Sequence, residues 1–168
     1  MKTLLILRHA KSSWGEPAVS DHDRPLNKRG KRDAPRVGQM LRQQDLVPDL
    51  ILTSTAKRAR KTAEAIAEVS GYGGEIEAYA EFYPGTPEDY MAVLRALPDE
   101  HPELLLRRIM VVGHNPGLEE LLATLTDETP GLSTATLAQV DLPIARWTDL
   151  TEETEGKLVF LWTPPREE

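Results

Sequence analysis

The sequence has no cysteine among its 168 residues. That absence excludes a disulfide framework, a cysteine-ligated zinc site and a thiol nucleophile. Long apolar runs are also missing. Stretches such as Leu4 to Leu7 and Leu158 to Trp162 are far too short to span a bilayer or to form a signal-peptide core. No internal repeat or low-complexity tract occurs, and no Gly-x-Gly-x-x-Gly follows an apolar stretch, which disfavours a dinucleotide-binding domain. What remains is 40% hydrophobic and 28% charged, enough apolar mass for a folded chain. The expectation is one soluble, cytoplasmic domain over residues 1–168, burying roughly two-thirds of its unfolded surface, with no membrane partner.

Base is scarce relative to acid, and the net charge of −7 argues against nucleic acid as a partner. The average hides an asymmetry. Residues 1–61 carry 14 of the 20 Lys and Arg but only 6 of the 27 Asp and Glu, a local net of +8. A basic first third in an acidic chain predicts a local anion site.

Apolar runs at Thr3–Leu7, Leu50–Leu52 and Ile109–Val112 read as three buried strands. Weaker strands fall at Ile76–Tyr79, Leu137–Leu142 and Leu158–Trp162. Helical spacing runs from Lys28 to Gln44, from the Ser54/Thr55 caps to about Val69, from the Pro84–Pro87 turn through Leu97, and from Pro116 to about Leu125. Asn115 is expected to cap the last of these, with Pro116 at its first position. Buried strands alternating with amphipathic helices predict a three-layer α/β/α sandwich around a mostly parallel sheet. Ligands of such sheets lie beyond the carboxyl ends of the strands.

Each clear strand ends in a residue suited to phosphate. Arg8 and His9 follow the first, Arg58 lies in the helix turn after the second, and His114 and Asn115 follow the third. A lone histidine at a strand end is usually structural, but two of the chain's four would converge on one rim. Arginine binds a phosphoryl group bidentately, and a neutral imidazole can attack phosphorus. Together these residues point to phosphoryl transfer through a phosphohistidine, with no metal and no cofactor required.

At Leu7-Arg8-His9-Ala10, Ser54-x-x-x-Arg58-Ala59 and Gly113-His114-Asn115-Pro116-Gly117 the sequence resembles the histidine phosphatase superfamily, the phosphoglycerate mutase-like clan. Asp23-Arg24-Pro25-Leu26 followed by Gly30 and Ala34 is similar, more narrowly, to SixA-type phosphohistidine phosphatases. The resemblance implies a phosphoglycerate mutase-like fold and His9 as the transiently phosphorylated nucleophile. It implies that Arg8, Arg58 and His114 hold the phosphoryl oxygens, that Arg24 lines the pocket, and that the Asn115 backbone N–H is a further donor. Two positions depart from the family's usual Arg-His-Gly and Ser-Pro: Ala10, which must adopt the conformation glycine often supplies, and Thr55, which costs rigidity more than chemistry.

A carboxylate after a mid-chain strand protonates the leaving group in mutase-like relatives, and Glu81 occupies that place; an exposed loop glutamate is the competing reading. Asp21-His22-Asp23 reads as loop chemistry orienting Arg24 rather than a metal site. Lys28, Lys31, Arg32 and Arg36 read as a solvated helix face, with an acidic docking partner as the alternative. Arg60, Lys61 and His101 are expected in solvent, Trp14 at the pocket edge, and Trp147 and Trp162 in packing. About fifty residues separate Arg58 from His114, too few for a large cap over a small substrate. The resemblance favours a phosphohistidine on another protein as the substrate, and this short stretch supports it. The rivals are a small phosphorylated metabolite, such as a sugar phosphate or nucleotide, and a non-catalytic phosphoprotein-binding module.

Overall fold

A computed structural model describes residues 1–14, 18–98, 100–101 and 104–166. Its strands are β1 (Lys2–Arg8), β2 (Leu50–Ser54), β3 (Ile76–Tyr79), β4 (Glu100–His101), β5 (Leu104–Leu105), β6 (Arg108–Gly113), β7 (Leu137–Leu142) and β8 (Lys157–Trp162). Its helices are α1 (Lys28–Gln43), α2 (Lys57–Ser70), α3 (Pro87–Arg95) and α4 (Gly117–Thr126). Six strands form one sheet in the order β3-β2-β6-β1-β7-β8. The first four are mutually parallel, whereas β7 and β8 add antiparallel at one edge. The small antiparallel pair β4–β5 was not expected from the sequence, because two-residue strands leave no periodicity to read.

Alternation along β1 sorts the core. Leu4 and Ile6 face one side with Leu94 of α3 and Leu118, Leu121 and Leu122 of α4. Leu5 and Leu7 face the other with Val37 and Leu41 of α1 and Ala63 and Ile66 of α2. All four β1 side chains are fully buried, each stabilising by about 2 kcal/mol. The three-layer α/β/α sandwich with a mostly parallel sheet is the observed architecture. No helix among the described residues is long and apolar enough to cross a membrane.

Local chemistry sets the helix starts. Thr86 and Asp89 form a reciprocal capping box at α3, and the Asn27 side chain accepts the Gly30 N–H at α1. Gly30 also lets α1 close on the loop after β1: a Cβ there would stand 2.0 Å from the Lys11 carbonyl oxygen. Two expected caps are corrected. Ala56, not Ser54 or Thr55, precedes α2, and the Ser54 hydroxyl instead accepts the Ala56 N–H. Pro116, not Asn115, precedes α4, and the Asn115 side-chain N–H groups donate to Glu119 and the Leu132 carbonyl.

The packing expectations hold for Trp147, which is fully buried with its indole N–H donating to Leu106 O, and for Trp162, which packs half-buried against the α1/α2 side of the core. Arg60 departs from expectation: it is half-buried, its Nε donating to the Thr55 carbonyl. On α1, Arg29, Arg32 and Arg36 surround the buried Asp33 carboxylate, so that face is more organised than a purely solvated one. The exposure of His101 lies outside the described side chains.

Candidate active site

The register pairs Arg8 with Gly113 and Thr53 with Val112. His9, Ser54 and His114 therefore emerge side by side at the carboxyl edge of β1, β2 and β6. The two histidine rings lie 5.1 Å apart between centroids. They open into a cavity of about 210 Å³ whose lining includes Arg8, His9, Arg24, Arg58, His114 and Asn115. Lys11, Ser12, Trp14 and Thr134 complete the wall.

The tautomer of His9 is fixed by its own chain. Its Nδ1 lies 2.7 Å from the Ala10 carbonyl oxygen. A carbonyl only accepts, so Nδ1 carries the proton and Nε2 keeps its lone pair. Burial, opposed in part by that hydrogen bond and reinforced by Arg58, Arg8 and Arg24, lowers the His9 pKa to about 4. At neutral pH the ring is an uncharged nucleophile. Ala10 needs no left-handed backbone to serve this role, since it is not among the residues with positive φ. Its N–H is held by the Thr62 hydroxyl at 3.0 Å.

His114 is oriented the opposite way. Ser54 Oγ accepts the Ala56 N–H and lies 2.8 Å from His114 Nε2; we assign the hydroxyl as the donor to Nε2. That arrangement leaves the proton on Nδ1, a buried atom with no protein partner. The Tyr90 hydroxyl accepts the His114 backbone N–H. Burial, with His9 and Arg58 nearby, lowers the His114 pKa to about 3. His114 is thus a neutral donor beside a neutral nucleophile.

The arginines are clamped from behind. Arg58 is 6% exposed and donates Nη1 to the Asp21 carbonyl at 2.7 Å and Nη2 to the Asp21 carboxylate at 3.2 Å. Arg24 donates Nε to the same carboxylate at 2.9 Å and Nη1 to Ser12 Oγ and Ser13 O. Arg8 donates Nη1 to Leu132 O. The Nε atoms of Arg8 and Arg58 have no protein partner. Asp21 also accepts the Tyr83 hydroxyl at 2.5 Å, and that bond together with Arg58 and Arg24 holds its carboxyl down at about 2. It stays ionised and cannot serve as an acid at neutral pH. The turn Asp21–Asp23 does orient Arg24 as expected, while its reach to Arg58 and Tyr83 was invisible because those residues are distant in sequence. Thr55 uses its hydroxyl on His22 Nε2 at 2.9 Å and ties the same turn to the end of β2.

Glu81 is not brought to this cavity. It is exposed in a short 3-10 turn and lines a separate groove with Tyr79, Asp89 and Val93. The cause is Phe82, whose complete burial against Tyr79 and Tyr90 turns its neighbour outward. Trp14 does edge the cavity, 81% exposed.

These pKa values give a pH dependence. With His9 near 4 when folded and near 6.5 unfolded, the unfolded chain takes up a proton between those values that the folded chain refuses. Stability from this group is full above pH 6.5 and falls on acidification to pH 4, by about 3 kcal/mol. Chemical denaturation at pH 7 and pH 4.5 should show the loss, and its size should shrink in His9→Ala. A His9 resonance titrating at 6.5 in the folded protein would contradict the assignment.

Residues 4–84 match the family model of the histidine phosphatase superfamily, branch 1. An uncharacterized chloroplastic protein of Arabidopsis thaliana is 36% identical over 146 residues, covering 82% of this chain and 65% of the plant protein. An uncharacterized protein of Mycobacterium tuberculosis is 36% identical over 121 residues, covering 71% of this chain and 69% of its own length. A candidate phosphohistidine phosphatase, SixA of Agrobacterium tumefaciens, superposes with a TM-score of 0.80 at 29% identity, over 97% of this chain and 98% of its own. With the motif residues gathered at one strand edge and these relatives on record, the chain belongs to the histidine phosphatase superfamily.

Proposed function

We propose that the protein is a metal-independent phosphatase that carries the phosphoryl group on His9 Nε2, and that its substrate is a phosphohistidine on another protein. The observation that carries the first part is the Nδ1–H bond to Ala10, which leaves Nε2 as a neutral lone pair among four cations, Arg8, Lys11, Arg24 and Arg58. Nε2 attacks phosphorus as the bond to the leaving group breaks, and the leaving group keeps that electron pair. Arg8, Arg58 and His114 Nδ1–H donate to the phosphoryl oxygens, with Arg24 and the Asn115 backbone N–H at the wall. Water then attacks phosphorus, loses a proton to solvent, and His9 leaves as neutral imidazole with inorganic phosphate.

The substrate reading rests on two features. The cavity is small, and the segment from Arg58 to His114 is spent on α2, β3, α3, β4, β5 and β6 with no separate cap among its described residues. The acid is also weakly provided. An imidazole already protonated on its far ring nitrogen, a group that titrates near 6.5, leaves neutral with no acid from the enzyme, whereas an alkoxide needs a proton. Glu81→Gln should accordingly change kcat/KM on phosphohistidine less than about twofold; a tenfold fall would restore Glu81 as the acid.

The test is a side-by-side measurement of kcat/KM on a phosphohistidine protein and on a panel of sugar phosphates and nucleotides. Preference for the phosphoprotein supports the reading, and strong preference for a metabolite overturns it. A protein that binds phosphohistidine without turnover would be a binding module instead.

A further inference from the structure

Trp14 is the one aromatic among the large apolar side chains left strongly exposed in the described residues. Its position is not accidental surface. The Arg24 guanidinium lies over the indole at 4.4 Å, and Arg24 is itself fixed by Asp21, Ser12 and Ser13. One face of the ring is thus held by a cation that is clamped at the phosphate site. At 81% exposure the opposite face is open, on the wall of the cavity that holds His9. A folded chain gains nothing by presenting a bare indole to water beside a charged cavity, whereas an indole backed by a guanidinium is a ready stacking platform.

We propose that Trp14 stacks on the ring of the leaving group, so that the site selects phosphoryl groups bonded to a flat nitrogen ring such as imidazole. This rests on the phosphohistidine reading above and names what recognises the ring. During transfer the bond between phosphorus and the substrate's ring nitrogen breaks as the bond to His9 Nε2 forms. The ring leaves with the proton already on its far nitrogen, keeps the electron pair of the broken bond as neutral imidazole, and remains stacked until it diffuses away. Because the ring is present both before and during transfer, the stack acts on binding rather than on the chemical step.

Three substrates separate the possibilities: phosphoramidate, which has no ring; free phosphohistidine, which has a ring and no protein; and a phosphohistidine protein. Trp14→Ala should raise KM about fivefold on both ring substrates, with kcat within twofold and phosphoramidate turnover unchanged. Trp14→Phe should recover most of the loss. An equal fall on phosphoramidate would mean that Trp14 acts only by steadying Arg24, and would overturn the proposal. A loss confined to the phosphoprotein would make Trp14 a protein-docking residue and overturn it equally, as would no change on any substrate. Wild-type protein that hydrolyses phosphoramidate but not phosphohistidine would instead reject the substrate reading, and the ring proposal with it. Normal wild-type turnover of phosphohistidine with an indifferent Trp14→Ala rejects the stack alone.

Discussion

His9→Ala is expected to abolish turnover, lowering kcat by at least about four orders of magnitude while the protein stays folded. The size follows from the lack of a substitute nucleophile. The chain has no cysteine, and His114, the other imidazole on the cavity wall, has its Nε2 engaged by Ser54. The fold should survive because His9 contributes to the interior one side-chain hydrogen bond, to Ala10, while its backbone bonds to Gly113 and Ala135 persist in alanine. Circular dichroism of the variant should match wild type. Residual activity within a hundredfold of wild type would remove His9 from its assigned role.

Arg58→Ala is expected to lower kcat/KM by at least a hundredfold, roughly 3 kcal/mol of transition-state stabilisation. Two effects add. The cavity wall loses a buried guanidinium cation. The Asp21 carboxylate, which Arg58 neutralises at 3.2 Å, then faces the incoming anion with Arg24 as its remaining cation partner. Arg58→Lys keeps the charge but not the fork that spans the Asp21 carbonyl and carboxylate, so it should recover only part of the loss. Steady-state kinetics of both variants on one substrate checks this. A loss below tenfold in Arg58→Ala would place the phosphoryl group elsewhere.

The parts of this site that the sequence disclosed are those that local pattern controls. Leu4–Leu7, Leu50–Leu52 and Ile109–Val112 are buried on both faces, so they read as uninterrupted apolar runs, and the polar residue ending each run falls at the sheet edge. His9 and His114 were placed at that edge for that reason, and Arg58 in the first turn of the helix that follows it. The tertiary partners were hidden. Ser54 read as a helix cap, because a serine before a helix offers no sign that its hydroxyl will face a histidine sixty residues away. Asp21 read as a turn residue for Arg24; its hold on Arg58 and Tyr83 depends on how the turn folds over α2. Glu81 fitted a family position but not the packing of Phe82 beside it. The charge asymmetry was legible as well: within a net of −7, Arg8, Arg24 and Arg58 concentrate positive charge where the strands end.

The central claim is a phosphoryl group carried on His9, and it can be observed directly. Wild-type protein mixed with a phosphohistidine protein labelled in its phosphoryl group, quenched in base within one turnover and digested, should yield a base-stable, acid-labile phosphoryl group on the peptide containing His9. His9→Ala should yield none. Continued hydrolysis with no phosphorylated enzyme at any quench time, or label on a peptide lacking His9, would contradict the account.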